Sequence, residues 1–289
     1  MIKHDILQKY DILKKQVKKG LYSHENTDCI GEIYKECLSF LKDISKIELV
    51  SKVEGKQYFA FENKRKISRA INKGLYEPNI GDWNILKEEM LKGGEFSFSL
   101  EKTNQTLYSM AISFCACIDL LKDGDQKTPG TFFEYFIAYF FSWRVGVEPQ
   151  TSIQILSVDG EDTRLPTDFI FNLGPKKKKF HMPIKTSSRE RSIMLWAHQK
   201  LLDGVYGVER FMGTPVMLAE TKTDKKKREV VEICLPDQWR VYQLYIAKLK
   251  RVYYLDLPSA YKKLGEEFPP LLVKNFSDFF NEWEELVPD

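Results

Sequence analysis

Near its start the chain repeats apolar residues at helical intervals. Ile6, Leu7, Tyr10, Leu13, Val17 and Leu21 fall on one face, and Gly20 offers a stop. A second such face gathers Ile30, Ile33, Tyr34, Cys37, Leu38 and Leu41, and the polar run 22–28 predicts the connector between the two helices. Short β-type runs at 47–53 and 58–61 predict a strand pair, while Gly74, Gly81, Gly93 and Gly94 break residues 64–101 into short pieces. A helix is expected to resume over 105–122. The polar stretch 121–130, closing on Pro129-Gly130, is the clearest punctuation in the chain. It divides the sequence into a helical N-terminal domain, residues 1–125, and a second domain, residues 126–289.

The second part has a different texture. An aromatic helix is expected at 131–145, a strand at 153–158, a turn at 159–162 and a strand at 168–171. Gly174, Pro175 and the lysines Lys176 to Lys179 outline a hairpin tip, with a return strand at 180–186. Then come a helix at 188–202 ending near Gly204, strands at 214–219 and 230–235, a helix at 237–249 and a short strand at 252–255. Helices interleaved with strands predict an α/β (α+β) organisation, and no internal repeat suggests a solenoid.

Composition removes several function classes. A chain of 289 residues with 43% hydrophobic and 29% charged residues is globular, not disordered or collagenous. Lysine and arginine total 44 against 41 acids, so the net charge of +3 does not by itself argue for nucleic acid. Five cysteines, an odd number without a regular framework, fit a reducing compartment; Cys115 and Cys117 have the wrong spacing for a zinc knuckle and read as core. No apolar run reaches about 18 residues and no secretory h-region opens the chain, so the expectation is a cytoplasmic protein without a membrane partner.

The candidate chemistry lies between Glu134 and Arg191. Asp168 opens a strand and Lys185 stands near the end of the return strand, so a hairpin brings the two together. A carboxylate beside a lysine at a sheet edge suits metal-assisted phosphodiester cleavage: the carboxylate holds a hard divalent cation, and the lysine orients water and offsets phosphate charge. The same spacing also fits a surface ion pair. A second acid would ordinarily stand two residues before the lysine, where Pro183 is found; Glu134 is the replacement, and the Ile184 carbonyl offers a further metal ligand. From Pro175 to Ser192 there are seven basic residues and one acid, a local excess of +6 suited to phosphate. Arg189-Glu190-Arg191 then stands at an expected helix start, where side chains reach base edges; arginine pairs with guanine and a carboxylate accepts from cytosine. Ser187 and Glu190 also have capping-box spacing, which explains Glu190 but not the flanking arginines.

Together, Pro166-Thr-Asp168, Pro183-Ile-Lys185 and Ser188-Arg-Glu-Arg191 resemble type II restriction endonucleases of the PD-(D/E)XK superfamily, in the BsaWI-, NgoMIV- and EcoRII-like group that reads CCGG or CC-x-GG cores. The resemblance implies a restriction-endonuclease-like core, a mixed sheet flanked by helices, following a mainly helical N-terminal region. It implies Mg2+ as cofactor, double-stranded DNA as substrate and a homodimer or higher homo-oligomer, because a two-fold dimer matches a symmetric site. Asp168, Lys185 and Glu134 are then catalytic; Asp168, Glu134 and Ile184 hold the metal; Arg189, Glu190 and Arg191 read bases. Many members place an acid 13 or 14 residues after the lysine, where this chain has His198 and Gln199. A repair or nicking nuclease of the same superfamily, or a sequence-specific DNA-binding protein without activity, remains an alternative.

Overall fold

The computed structural model describes residues 2–64, 66–92, 96–122, 124–158, 161–175 and 177–286. The chain forms two compact units, one of residues 1–136 with 220–233 and the other of 137–219 with 234–289.

The first unit opens with helices α1 (Ile2–Val17) and α2 (His24–Lys42). Ser23 caps α2 by accepting from the Asn26 amide at 3.1 Å. Strands β1 (Ser45–Ser51), β2 (Tyr58–Asn63), β3 (Lys66–Ile67) and β4 (Ile71–Asn72) follow, then α3 (Ile80–Lys92), α4 (Leu100–Leu121) and the start of α5 (Lys127–Val145). Gly93 and Gly94 lie outside the described residues. Helix α4 is buried along almost its whole length, with Cys115 and Cys117 as free thiols in the core. Phe114 stacks on Phe132 of α5 at 3.9 Å between ring centroids.

The second unit takes the rest of α5, then β5 (Pro149–Val158), β6 (Glu161–Asn172), β7 (Lys179–Met182) and β8 (Ile184–Lys185). Of the expected turn at 159–162, residues 159 and 160 lie outside the described residues, and Glu161 and Asp162 already belong to β6. A 3-10 turn at Arg189–Arg191 leads into α6 (Ile193–Tyr206), then β9 (Phe211–Gly213) and β10 (Val216–Met217). The chain returns to the first unit for β11 (Thr221–Asp224) and β12 (Glu229–Glu232). The strand expected at 230–235 is this β12, and its partner is β1, parallel, with Val50 opposite Glu229. Lys56 fixes the pairing with an ion pair to Glu232 at 2.7 Å. The second unit closes with α7 (Pro236–Tyr245), β13 (Val252–Tyr254), α8 (Ser259–Glu267), β14 (Val273–Asn275), a 3-10 turn Phe276–Asp278 and α9 (Phe279–Leu286).

Two four-stranded ladders, β5-β6-β7-β9 and β14-β13-β10-β8, are halves of one mixed sheet in this unit. Past His181 the backbone keeps bonding in parallel: Thr214 to the His181 carbonyl at 2.8 Å, Val216 to Pro183 at 2.9 Å and Leu218 to Lys185 at 3.1 Å. Pro183 and Pro215 lack the N–H that a continuous ladder needs, which is why each strand reads as two pieces. Strand alternation gives the sheet two faces. Phe171 and Phe180 pack with Phe141 of α5 at 4.4 and 4.9 Å. Ile170, with Ile153 and Phe211, packs with Leu202 of α6 on the other side. The expected α/β (α+β) organisation, a mixed sheet flanked by helices, is the architecture found.

Candidate active site

Asp168 sits in an irregular stretch of β6. The β5–β6 register jumps from Gln150 opposite Ile170 to Ser152 opposite Pro166, so residues 167–169 bulge. Bulges re-aim side chains, and this one turns the Asp168 carboxylate toward the return strand. The β6–β7 ladder ends at Phe169 opposite Met182. Where a further backbone acceptor would take the amide of Ile184, Asp168 Oδ2 takes it, at 2.8 Å. The same oxygen accepts from Lys185 Nζ at 2.6 Å. The carboxylate is about a fifth exposed and the lysine nearly half, at 22% and 45%. The two residues that the hairpin spacing pairs are therefore in contact, on the α6 side of the sheet.

The geometry also fits a hard cation in part. In extended backbone the N–H and C=O of one residue point to the same side. The Ile184 amide points to Asp168, so its carbonyl does too, away from the ladder with β10. Asp168 Oδ1 and the Ile184 carbonyl are two oxygen donors of the type magnesium takes, and magnesium keeps several waters besides. Among the described residues no group of three or more His, Cys, Asp or Glu gathers at one point. Glu134 lies on the part of α5 that belongs to the first unit and is half-buried. His198 is half-buried on α6. Gln199 is buried, and its amide nitrogen bonds Asp203 Oδ1 at 2.8 Å and the Phe211 carbonyl at 2.9 Å, so it is engaged inside the unit.

The Arg189–Arg191 segment differs from the expected helix start. It is a 3-10 turn with Ser188 at its N-cap position and no side-chain cap, and the α-helix begins only at Ile193. The Glu190 side chain, and with it the expected capping box, lies outside what is described. Arg189 adopts the left-handed region at φ 36°, a conformation that costs a residue with a Cβ. Arg189 and Arg191 are both exposed. Of the lysines at the hairpin tip, Lys176 lies outside the described residues, Lys178 pairs with Glu209 at 3.4 Å, and Lys179 rests over the Phe211 ring. The other basic run is engaged in the first unit: Lys225 bonds the Ile67 carbonyl and Arg228 pairs with Glu62.

Sequence reasoning passed over His181. It is wholly buried on β7, its ring centroid 6.2 Å from that of His198. Its only sequence signal is an isolated polar residue in the apolar run Phe180-His-Met182. Desolvation, and secondarily the neighbouring His198, lower its pKa to about 4, so the ring is neutral.

Among the described residues no helix is long and apolar enough to cross a membrane. No protein-family model matches the sequence, and no curated protein matches it. Among solved structures, the chain resembles the restriction endonuclease PspGI in complex with substrate DNA, at 12% identity over 98% of this chain and 92% of that one, with a TM-score of 0.43. It superposes much better on the type IIP restriction endonuclease Kpn2I, at 22% identity over 97% of this chain and 96% of that one, with a TM-score of 0.80. The chain therefore has the restriction-endonuclease fold of Kpn2I along nearly its whole length.

Proposed function

We propose that this protein is a type II restriction endonuclease that makes Mg2+-dependent double-strand cuts in DNA at a site with a CCGG or CC-x-GG core. The observation that carries the reading is the contact of Asp168 Oδ2 with both Lys185 Nζ, at 2.6 Å, and the Ile184 amide, in a fold shared with Kpn2I. Asp168, the Ile184 carbonyl and Glu134 would hold the metal, which would supply polarisation of the scissile phosphate and activation of water. Lys185, tethered by Asp168, orients the attacking water and offsets the charge that builds on the phosphate oxygens. Arg189 and Arg191, four and six residues beyond Lys185, each grip a guanine, and Glu190 accepts from cytosine.

A homodimer completes the reading, because two copies related by a two-fold axis match a symmetric site. The exposed apolar side chains Met194 and Leu201 on α6 and Val241, Leu244 and Tyr245 on α7 support it. They recur at helical spacing on adjacent helices that pack through Trp196 and Trp239. Exposed apolar side chains grouped on a helix are the kind of surface that a second copy covers. Met194 and Leu201 lie on α6, which directly follows the Arg189–Arg191 turn, so a second copy docked there would also set the spacing of the two reading elements.

The test is a plasmid digest with magnesium. Discrete fragments ending at one sequence are expected from the parent protein, and Asp168→Ala and Lys185→Ala should each cut at least about 10²-fold more slowly while binding the same DNA in calcium. Nicked circles as the end product would make the protein a nickase, and a gel shift without cleavage would make it a binding protein.

A further inference from the structure

His181 is a buried titratable residue to which the cleavage chemistry above gives no task. It precedes Lys185 by four residues on one extended stretch, so its side chain leaves the strand on the Lys185 side. It stands opposite Ile170 in the β6–β7 ladder, and Asp168 is two residues from Ile170. The imidazole is thus a diagonal neighbour of the carboxylate, in the layer of side chains behind it. On its other side it meets α6, where the Gln199 side chain lies close enough to favour the protonated ring. Yet neither imidazole nitrogen and not Gln199 Oε1 completes a hydrogen bond among the described residues, although all three atoms are buried.

Gly213 makes the approach possible. A Cβ there would stand 2.7 Å from Gln199 Oε1, so the amide lies in the gap that the missing side chain leaves. The far side of that amide is pinned by its bonds to Asp203 and the Phe211 carbonyl. A neutral imidazole has one N–H to give, and Gln199 Oε1 has a lone pair to take it. Three buried polar atoms a small shift away from satisfying one another are unfavourable as they stand, and a phenyl ring would fill the same volume without that penalty. The helix involved is the one that follows the Arg189–Arg191 turn, and the strand is the one that carries Ile184 and Lys185.

We infer that His181 is a positioning residue: when DNA engages the Arg189–Arg191 end of α6, the His181 N–H and the Gln199 carbonyl close their hydrogen bond and so seat the Asp168–Lys185 strands for cleavage. This rests on the endonuclease reading of the site. It makes cutting depend on correct reading through a contact that touches neither the phosphate nor a base.

Three variants test it. His181→Phe keeps a ring and removes the donor; His181→Gln keeps a donor; Gln199→Met removes the acceptor. In single-turnover cleavage of the parent's own site, His181→Phe is expected to fall by about tenfold or more, with affinity in calcium within about threefold and a thermal midpoint no lower than the parent's. His181→Gln should recover most of the lost rate, and Gln199→Met added to His181→Phe should cost cleavage little more. Cleavage by His181→Phe within about twofold of the parent overturns the inference. So does a joint loss of affinity, stability and cleavage, which marks a residue that only packs. Should His181→Phe fail to fold, the same comparison is made with His181→Leu against His181→Gln, and equal rates for those two overturn it. A parent that cuts no DNA defeats the endonuclease reading and the inference with it, an outcome visible before any variant is made.

Discussion

Arg189 holds its backbone at φ 36° in the turn that opens toward α6. The left-handed region costs a residue with a Cβ about 1–2 kcal/mol, and glycine escapes most of that. The base-reading role proposed for this arginine would account for keeping the cost. Arg189→Gly should therefore leave stability equal or raise it by about 1 kcal/mol, while about 1–3 kcal/mol of discrimination disappears at one guanine. Denaturant unfolding reads the first quantity, and binding in calcium to DNA with CCGG, CCAGG and scrambled cores reads the second. A loss of affinity equal for all three cores, with a salt slope lowered by about one, would instead assign Arg189 to a phosphate. His181 gives a second expectation at this scale. Its folded pKa is about 4, below the ordinary value of 6.5, through burial first and His198 second, with Asp168 opposing. Between those values the unfolded chain binds a proton that the native ring refuses. Stability is thus lost as pH falls from about 6.5 toward 4, by up to about 3 kcal/mol, and is unaffected by this group at neutral pH. Unfolding measured across that range should show the slope in the parent and a shallower one in His181→Phe.

At the level of elements, two irregularities build the site. The bulge at residues 167–169 of β6 turns Asp168, and the strand that crosses Pro183 leaves β6 while staying bonded to the strand from Phe211 to Met217. An uninterrupted ladder would have satisfied the Ile184 amide with backbone; the divergence satisfies it with a carboxylate and turns the Ile184 carbonyl the same way. Helix α6 then serves three purposes with three faces. Leu202 seals the sheet, Trp196 meets Trp239 of α7, and Met194 and Leu201 stay bare. Tyr245, 79% exposed, is likewise bare on α7. A charge on each protomer in the middle of a two-fold interface would oppose its own copy. Leu244→Asp combined with Tyr245→Asp should therefore sediment as a monomer where the parent is expected to be a dimer, and should nick rather than cut both strands at low protein concentration. A double variant that stays dimeric moves the interface elsewhere.

The whole molecule consists of two units, and Glu134, the acid proposed for the metal site, is assigned to the first. Helix α5 runs from one into the other, placing Glu134 in the first and Phe141 among the aromatic rings of the second. Glu134→Gln keeps the shape of the side chain and removes its charge. Cleavage should fall sharply at ordinary magnesium and recover in part at high magnesium or with manganese, since weaker binding is offset by concentration. A magnesium titration identical to the parent's would remove Glu134 from the metal site.

Local physics made much of this legible in the chain itself. Helical periodicity marked α1, α2, α4, α5, α6 and α7, while α3 formed where the glycines predicted only short pieces and α8 and α9 went unpredicted; alternation and turn residues marked the β6–β7 hairpin, and a hairpin of that length leaves Asp168 and Lys185 at one end. These are properties of neighbours along the chain, which is what periodicity records. The helix start expected at residue 188 came out as a 3-10 turn because Arg189 takes a backbone conformation that composition does not announce. The partner of β12 is β1, some 180 residues earlier. The ladder of β8 is with β10, across the whole of α6. Such pairings depend on which edges remain open once the local elements exist, and no short window of sequence contains that information. The burial of His181 belongs to the same class: a lone histidine in a strand looks the same in sequence whether it faces water or, as here, Gln199 across the core.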